Sequence, residues 1–217
     1  MKHIRRLAVA ALAVACSLPG LSSCVSLANR EQPPLLAVTR GERIYEQHCI
    51  GCHAQRATGD AFLAVPALAG QQLGYLQNQI ARFSSDERHS PQMRWAFKRA
   101  TMTTPQAATD IAAYLSHLPQ QTFAQSDSRF QDEGQASYAT HCAACHGADA
   151  RGNSDGAIPS LRAQHDSYLV NRLRRFASTS PAVDVSAHRI DDHTIIAVAA
   201  YLSSLRGVPL EGAAVDR

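Results

Sequence analysis

The sequence is short of several things, and each shortage narrows what it can encode. Charged residues fill only 18% of its 217 positions while hydrophobic ones fill 45%, which excludes a disordered chain. No run reaches the roughly twenty apolar residues that a membrane-spanning helix needs. Acidic residues are missing from residues 1–23, where Lys2, Arg5 and Arg6 lie, and these three account for the whole net charge of +3. The rest of the chain sets 18 basic residues against 18 acidic ones. A neutral mature chain has no electrostatic reason to bind nucleic acid or to coat an anionic membrane. Methionine occurs three times and cysteine six, so each of these residues can be weighed singly.

The basic excess belongs to an export signal. Residues 1–6 form a positive start and residues 7–18 an apolar run, followed by Pro19-Gly20 and then Leu21-Ser22-Ser23-Cys24. That last tetrapeptide resembles a bacterial lipobox, whose cysteine is lipidated and becomes the first mature residue. Ala13-Val14-Ala15-Cys16 lies inside the apolar run and lacks the leucine, which favours Cys24. Ordinary secretion with cleavage after Ala28 is the alternative. The expectation is a signal peptide over residues 1–23, a lipid anchor at Cys24, a tether over residues 24–38, and an exported, periplasmic protein.

The other four cysteines form two pairs, Cys49-Ile50-Gly51-Cys52-His53 and Cys142-Ala143-Ala144-Cys145-His146. Two disulfides, a redox dithiol or half a zinc site would each use such cysteines. None of these explains a histidine directly after both pairs. Covalent haem does: two thiols add to the two vinyl groups, and the adjacent histidine binds the iron. The two motifs therefore predict two covalently attached haem c groups.

The motifs lie within an internal repeat. An offset of 93 pairs Gly41 with Gly134, Tyr45 with Tyr138, His48 with His141 and Gly59 with Gly152. It also pairs Pro66 with Pro159, Leu68 with Leu161, Tyr75 with Tyr168 and Phe83 with Phe176. Ser90-Pro91 then matches Ser180-Pro181, and residues 112–116 match residues 199–203 as Ala-Ala-Tyr-Leu-Ser. All six tyrosines fall in matched pairs. The expected fold class is all-α: two tandem small helical domains, over residues 39–119 and 132–207, each wrapped around a covalent haem. Residues 120–131 read as a linker and residues 208–217 as a tail.

Each copy reads as a first helix (around residues 41–48), a central helix (near 75–83) and a terminal helix. Thr104 and Asp191 are expected as N-caps of the two terminal helices, with Pro105 in the first turn of the first. The stripes Ile111, Tyr114, Leu115, Leu118 and Ile195, Val198, Leu202, Leu205 have helical spacing and read as core. The basic groups Arg94, Lys98, Arg99 and Arg172, Arg174, Arg175 read as solvated helix faces.

Two CxxCH copies, each with Pro-x-Leu downstream and an Ala-Ala-Tyr-Leu terminal helix, resemble dihaem class I cytochromes c of the c4 type. The resemblance spans residues 39–206. It implies a periplasmic or membrane-attached electron carrier, with haem held by Cys49, Cys52, Cys142 and Cys145. His53 and His146 would be the proximal ligands, with Pro66 and Pro159 behind them. The family usually places a methionine between the central and terminal helices as the sixth ligand. Met93 is the choice in the first copy over Met102, which falls where the family has a buried leucine. Val183 occupies the matching position of the second copy and cannot ligate iron. His188, five residues further on, is the candidate there, with an open site as runner-up; His165 and His193 are expected at the surface. The expected function is electron transfer, not enzyme catalysis, with redox proteins (a membrane oxidase, reductase or dehydrogenase) as partners. A haem sensor with an open second iron is the competing class.

Overall fold

The computed structural model describes residues 33–99, 104–123, 128–153, 155, 158–178 and 188–207. The export signal, Cys24, Met102, Val183 and the C-terminal tail lie outside the described residues. In the first copy, α1 (Leu35–His48) crosses α5 (Pro105–His117), and α3 (Leu73–Ser84) packs on α5 as well. The one-turn α2 (Ile50–His53) carries the first motif, and α4 (Pro91–Arg99) follows α3. The second copy repeats the plan: α6 (Gln131–His141) crosses α9 (Asp192–Ser204), α8 (Asp166–Ser178) packs on α9, and α7 (Ala143–His146) carries the second motif. The described residues form no strands, only the isolated bridge Asp60–Val65, and the fold is all-α in two repeated halves.

Both crossings depend on a glycine. A Cβ on Gly41 would sit 1.9 Å from the Asp110 carbonyl oxygen, and one on Gly134 would sit 2.0 Å from that of Ala197. Backbone meets backbone there, so no side chain fits. Next to the first crossing, Arg40 grips the buried Asp110 carboxylate with Nε at 2.6 Å and Nη2 at 2.7 Å. Tyr45 and Tyr114 pack at 5.4 Å between ring centroids, and their counterparts Tyr138 and Tyr201 at 5.6 Å. Thr104 and Asp191 cap α5 and α9 through the N–H groups of Ala107 and Thr194. Ile111, Leu115, Ile195, Val198 and Leu202 are all buried, as their spacing predicts.

Several boundaries differ from the sequence reading. The first helix starts at Leu35, and Ala37 and Val38, read as tether, are buried against α5 and its neighbours. Their apolar side chains continue the helix's inner face. The segment read as linker is partly packed: Gln120 reaches the Gly70 carbonyl and Ser160, Phe123 lies on His165 at 4.3 Å, and α6 begins at Gln131. The sequence reading gave α4 no bounds, placing only Arg94, Lys98 and Arg99 on a helix face, though Ser90-Pro91 is a usual helix start.

The two halves meet through a pseudo-twofold set of hydrogen bonds. Gln71 Nε2 donates to the Ser160 carbonyl at 2.8 Å, and the Ser160 N–H returns to Gln71 Oε1 at 3.0 Å. Gln164, its match at offset 93, donates to the Ala67 carbonyl and accepts from the Ala67 N–H, both at 2.9 Å. Next in sequence, Gln72 donates to the Arg151 carbonyl, and His165 Nε2 pairs with the Thr58 carbonyl at 2.7 Å. Each residue and its partner are again 93 positions from their counterparts. His165 is thus buried, 7% exposed, rather than at the surface, because the second half covers it with the first.

Candidate functional site

Each CxxCH motif begins where a long helix ends. The Cys49 and Cys142 N–H groups still bond to the Tyr45 and Tyr138 carbonyls, at 2.8 and 2.9 Å, and a single further turn follows. Within that turn the His53 N–H bonds to the Cys49 carbonyl and the His146 N–H to that of Cys142. First cysteine and histidine are therefore one helical turn apart and project to one side. No disulfide joins these four cysteines; Cys52 and Cys145 are exposed and Cys49 and Cys142 half-buried. Before haem is attached, burial pushes the Cys49 and Cys142 thiols up to about 11, which favours the neutral thiol.

The histidines are buried, His53 6% and His146 9% exposed. Burial lowers both imidazole pKa values, which favours the neutral ring. His53 Nδ1 lies 3.1 Å from the Pro66 carbonyl oxygen, and His146 Nδ1 lies 3.2 Å from that of Pro159. A carbonyl only accepts, so Nδ1 carries the proton and Nε2 keeps its lone pair for a metal.

The loops that bring the prolines back are built alike. Gly59 and Gly152, with φ of +70° and +71°, bond to the His53 and His146 carbonyls at 2.9 Å. A Cβ on either would meet the chain just before or at the proline, within 2.3 Å at Gly59 and 2.1 Å at Gly152. Tyr45 and Tyr138 hydroxyls donate at 2.6 Å to the carbonyls of Ala54 and Gly147, the residues directly after the histidines. Each ring is held at both ends of its own segment.

These donor sets fit haem c. Zinc would need three or four converging side chains, and among the described residues no three His, Cys, Asp or Glu side chains converge. One free imidazole nitrogen beside two free thiols is what a covalently attached porphyrin iron requires.

The sixth-ligand candidates sit differently. Met93 lies on α4, half-buried against the core of the first half. His188 stacks on Phe176 at 4.9 Å, and its ring centroid is 6.3 Å from that of His146 at an interplanar angle of 75°. Its Nδ1 is buried without a hydrogen-bond partner among the described residues. Burial and the nearby Arg172 both keep the ring neutral. His193 is exposed and lies 3.0 Å from Glu133, away from the motif. Sequence reasoning missed the Gln71 and Gln164 contacts, although the identity of the two residues at offset 93 was a visible signal.

The cytochrome c family model matches residues 38–119 and 131–206. A Cbb3-type cytochrome c oxidase subunit FixP of Rhizobium meliloti is 26% identical over 199 residues, covering 86% of this chain and 66% of FixP. The chain thus spans about two thirds of that relative's length. A thiosulfate dehydrogenase electron acceptor of Stutzerimonas stutzeri is 27% identical over 189 residues, 76% of this chain and 86% of that protein. Reduced cytochrome c4 from Pseudomonas stutzeri superposes with a TM-score of 0.68 at 21% identity, over 78% of this chain and 98% of that one.

Proposed function

The chain belongs to the cytochrome c family, and from that premise we propose that it is a two-haem electron carrier serving redox-protein partners. Its haem c groups are attached at Cys49 and Cys52 and at Cys142 and Cys145. When bound, each supplies a one-electron ferric–ferrous couple. The protein's own residues do the rest. His53 and His146 hold their Nδ1 protons on the proline carbonyls and present Nε2, while Tyr45, Tyr138 and the glycine turns keep the rings from moving.

The observation that carries the reading is the relation of His188 to His146. A metal binds an imidazole nitrogen at about 2 Å, so two imidazoles that hold one ion must have their rings close together. The two ring centroids lie 6.3 Å apart, and the buried His188 Nδ1 has no hydrogen-bond partner among the described residues, so these two imidazoles would hold the second iron. Met93 would complete the first site from α4. If Met93 and His188 held the two irons, both would be closed by protein ligands, which would favour electron transfer over the binding of small molecules. His/Met ligation at the first haem and His/His ligation at the second would also make the second haem the lower in potential.

Export and lipidation at Cys24 complete the proposal. Among the described residues no helix is long and apolar enough to cross a membrane, so attachment would come from Leu21-Ser22-Ser23-Cys24. Mass spectrometry of the mature N-terminus checks this: an acylated Cys24 supports it, and an unmodified start at Asn29 refutes it.

The test of the carrier is electron paramagnetic resonance and a redox titration of the holoprotein and of His188→Ala. The parent should show two low-spin ferric haems, two one-electron steps and no carbon monoxide binding when reduced. The variant should turn the second haem high-spin and open it to carbon monoxide. A variant with the parent's low-spin signals removes His188 as ligand. Stoichiometric carbon monoxide binding by the parent overturns the carrier reading.

A further inference from the structure

A second polar cluster lies where α3 of the first half meets α8 of the second, and the ligation scheme does not use it. Tyr75 and Tyr168, matched at offset 93, stand on these two helices. Arg88 runs between the halves. Its Nη1 donates to Gln79 Oε1 at 2.6 Å, its Nη2 donates to the Tyr168 hydroxyl at 3.0 Å, and its guanidinium lies 4.5 Å over the Phe83 ring. Arg172 lies 4.1 Å over Phe176, the repeat partner of Phe83. Arg172 itself occupies the position matching Gln79, so the pseudo-twofold brings two different side chains to one place.

Arg88 is held on the Tyr168 hydroxyl, and Arg172 stands four residues further along α8, on the same helix face as Tyr168 and beside the half-buried Tyr75; burial first, and then the Arg88 charge, lower the Arg172 pKa. Neighbouring cations take carboxylates: Arg82 has Glu87, Arg94 has Asp86 and Arg174 has Asp192. Arg88 and Arg172, both half-buried, have no carboxylate within ion-pair distance among the described residues. Two like charges brought together away from water repel each other and lose hydration, and an anion between them reverses both costs. The fork of a guanidinium matches a carboxylate with two parallel hydrogen bonds.

We propose that Arg88 and Arg172 form a carboxylate-binding pair at the junction of the two halves, and that the carboxylates they take are haem propionates. Position favours this source over an acidic residue of a docking protein. Arg172 rests on Phe176, Phe176 stacks on His188, and His188 faces His146, so the cation is two aromatic contacts from the second iron site. On the other side, Phe83 stacks with Phe97 at 6.3 Å within the core that also holds Met93. Thioethers fix one edge of each porphyrin at the cysteines, and the propionates leave from the other edge, where a buried carboxylate needs a cation or hydrogen-bond donors. Cations at the propionates oppose the extra positive charge of ferric iron and so raise the potential. The inference rests on the haem content and not on the carrier role.

The experiment uses the full-length holoprotein and the variants Arg88→Gln and Arg172→Gln, with resonance Raman of the propionate bending band and an optical redox titration. The band should move in both variants. In Arg172→Gln the ferric-to-ferrous ratio of the second haem at fixed potential should rise about tenfold, a fall of about 59 mV for a one-electron couple. Arg172→Lys should recover most of that ratio, since it keeps the charge, while leaving the band displaced, since it lacks the fork. If a glutamine variant fails to retain haem, the lysine variant at that position carries the Raman test. A band unmoved in both positions overturns the proposal. With the band unmoved, a short oligoglutamate that binds the parent and not the variants would assign the pair to protein carboxylates instead. Loss of electron exchange with every partner, with the band shift intact, would sink the carrier reading and leave this one standing.

Discussion

Removing the Gln71 side chain should loosen the junction without unfolding either half. Gln71→Ala deletes the two hydrogen bonds it makes across the junction, to the carbonyl and from the N–H of Ser160, a residue 7% exposed, along with a local one from the Gln72 N–H, which water can replace. Each such bond contributes about 1 kcal/mol net, and the backbone groups left behind add a penalty while they stay buried. Together the loss is about 2–3 kcal/mol, since water entering the gap offsets part of the penalty. Every 1.4 kcal/mol is tenfold in an equilibrium constant, so the undocked population should rise roughly thirty- to a hundredfold. Amide hydrogen exchange of the holoprotein reads this at the Ser160 N–H. Gln164→Ala should act equally on the Ala67 N–H, because the same pair of bonds is repeated there. In the double variant the two effects on undocking should multiply, since all four bonds break in one event. Intramolecular electron exchange between the haems should slow in the same order. Exchange at Ser160 and Ala67 within threefold of the parent in both single variants would refute the reasoning.

Two further predictions concern backbone positions at the motifs. Ala54, directly after His53, has φ +63° and ψ 164°, a region that suits glycine, and the second copy has Gly147 there at φ +80° and ψ 153°. Ala54→Gly should stabilise the first half by about 1 kcal/mol, strain relief less the entropy of glycine, and Gly147→Ala should destabilise the second by about 2 kcal/mol; urea midpoints of the holoprotein read both. Gly134→Ala should cost at least about 3 kcal/mol because the Ala197 carbonyl stands 2.0 Å from the new Cβ, whereas Gly51→Ala, with open space around it and Ala144 as its repeat partner, should be neutral or stabilising. Equal urea midpoints for those two alanine variants would contradict the backbone-contact explanation of the crossings.

The parts of the fold that were legible in the sequence are those whose chemistry is local or doubled. Cys49 to His53 and Cys142 to His146 are contiguous, and one helical turn is all they need to present thiols and imidazole together. The caps Thr104 and Asp191 and the stripes of α5 and α9 are likewise properties of a few adjacent residues. The proline carbonyls behind His53 and His146 were implied by resemblance and are found 13 residues along the chain from each ring. What did not show was the junction, whose bonds run from side chain to main chain across 79 to 107 residues. A main-chain partner leaves no residue type to recognise, so His165 read as a surface residue although Thr58 buries it. Apolar Ala37 and Val38 read as tether for a related reason: only the mass of α5 beneath them makes their helix worth extending. Comparing the copies position by position separates these cases. Where the copies keep the same residue, as at Gln71 and Gln164, the structure uses it twice across the pseudo-twofold. Where they differ, as at Gln79 and Arg172 or Met93 and Val183, the proposed haem environments would differ too. Around Phe176 the second half gathers His188 and Arg172, where the first has Gln79 at the position matching Arg172. Any difference in potential between the haems should therefore trace to that ring and its two neighbours, not to the shared cysteine and histidine framework.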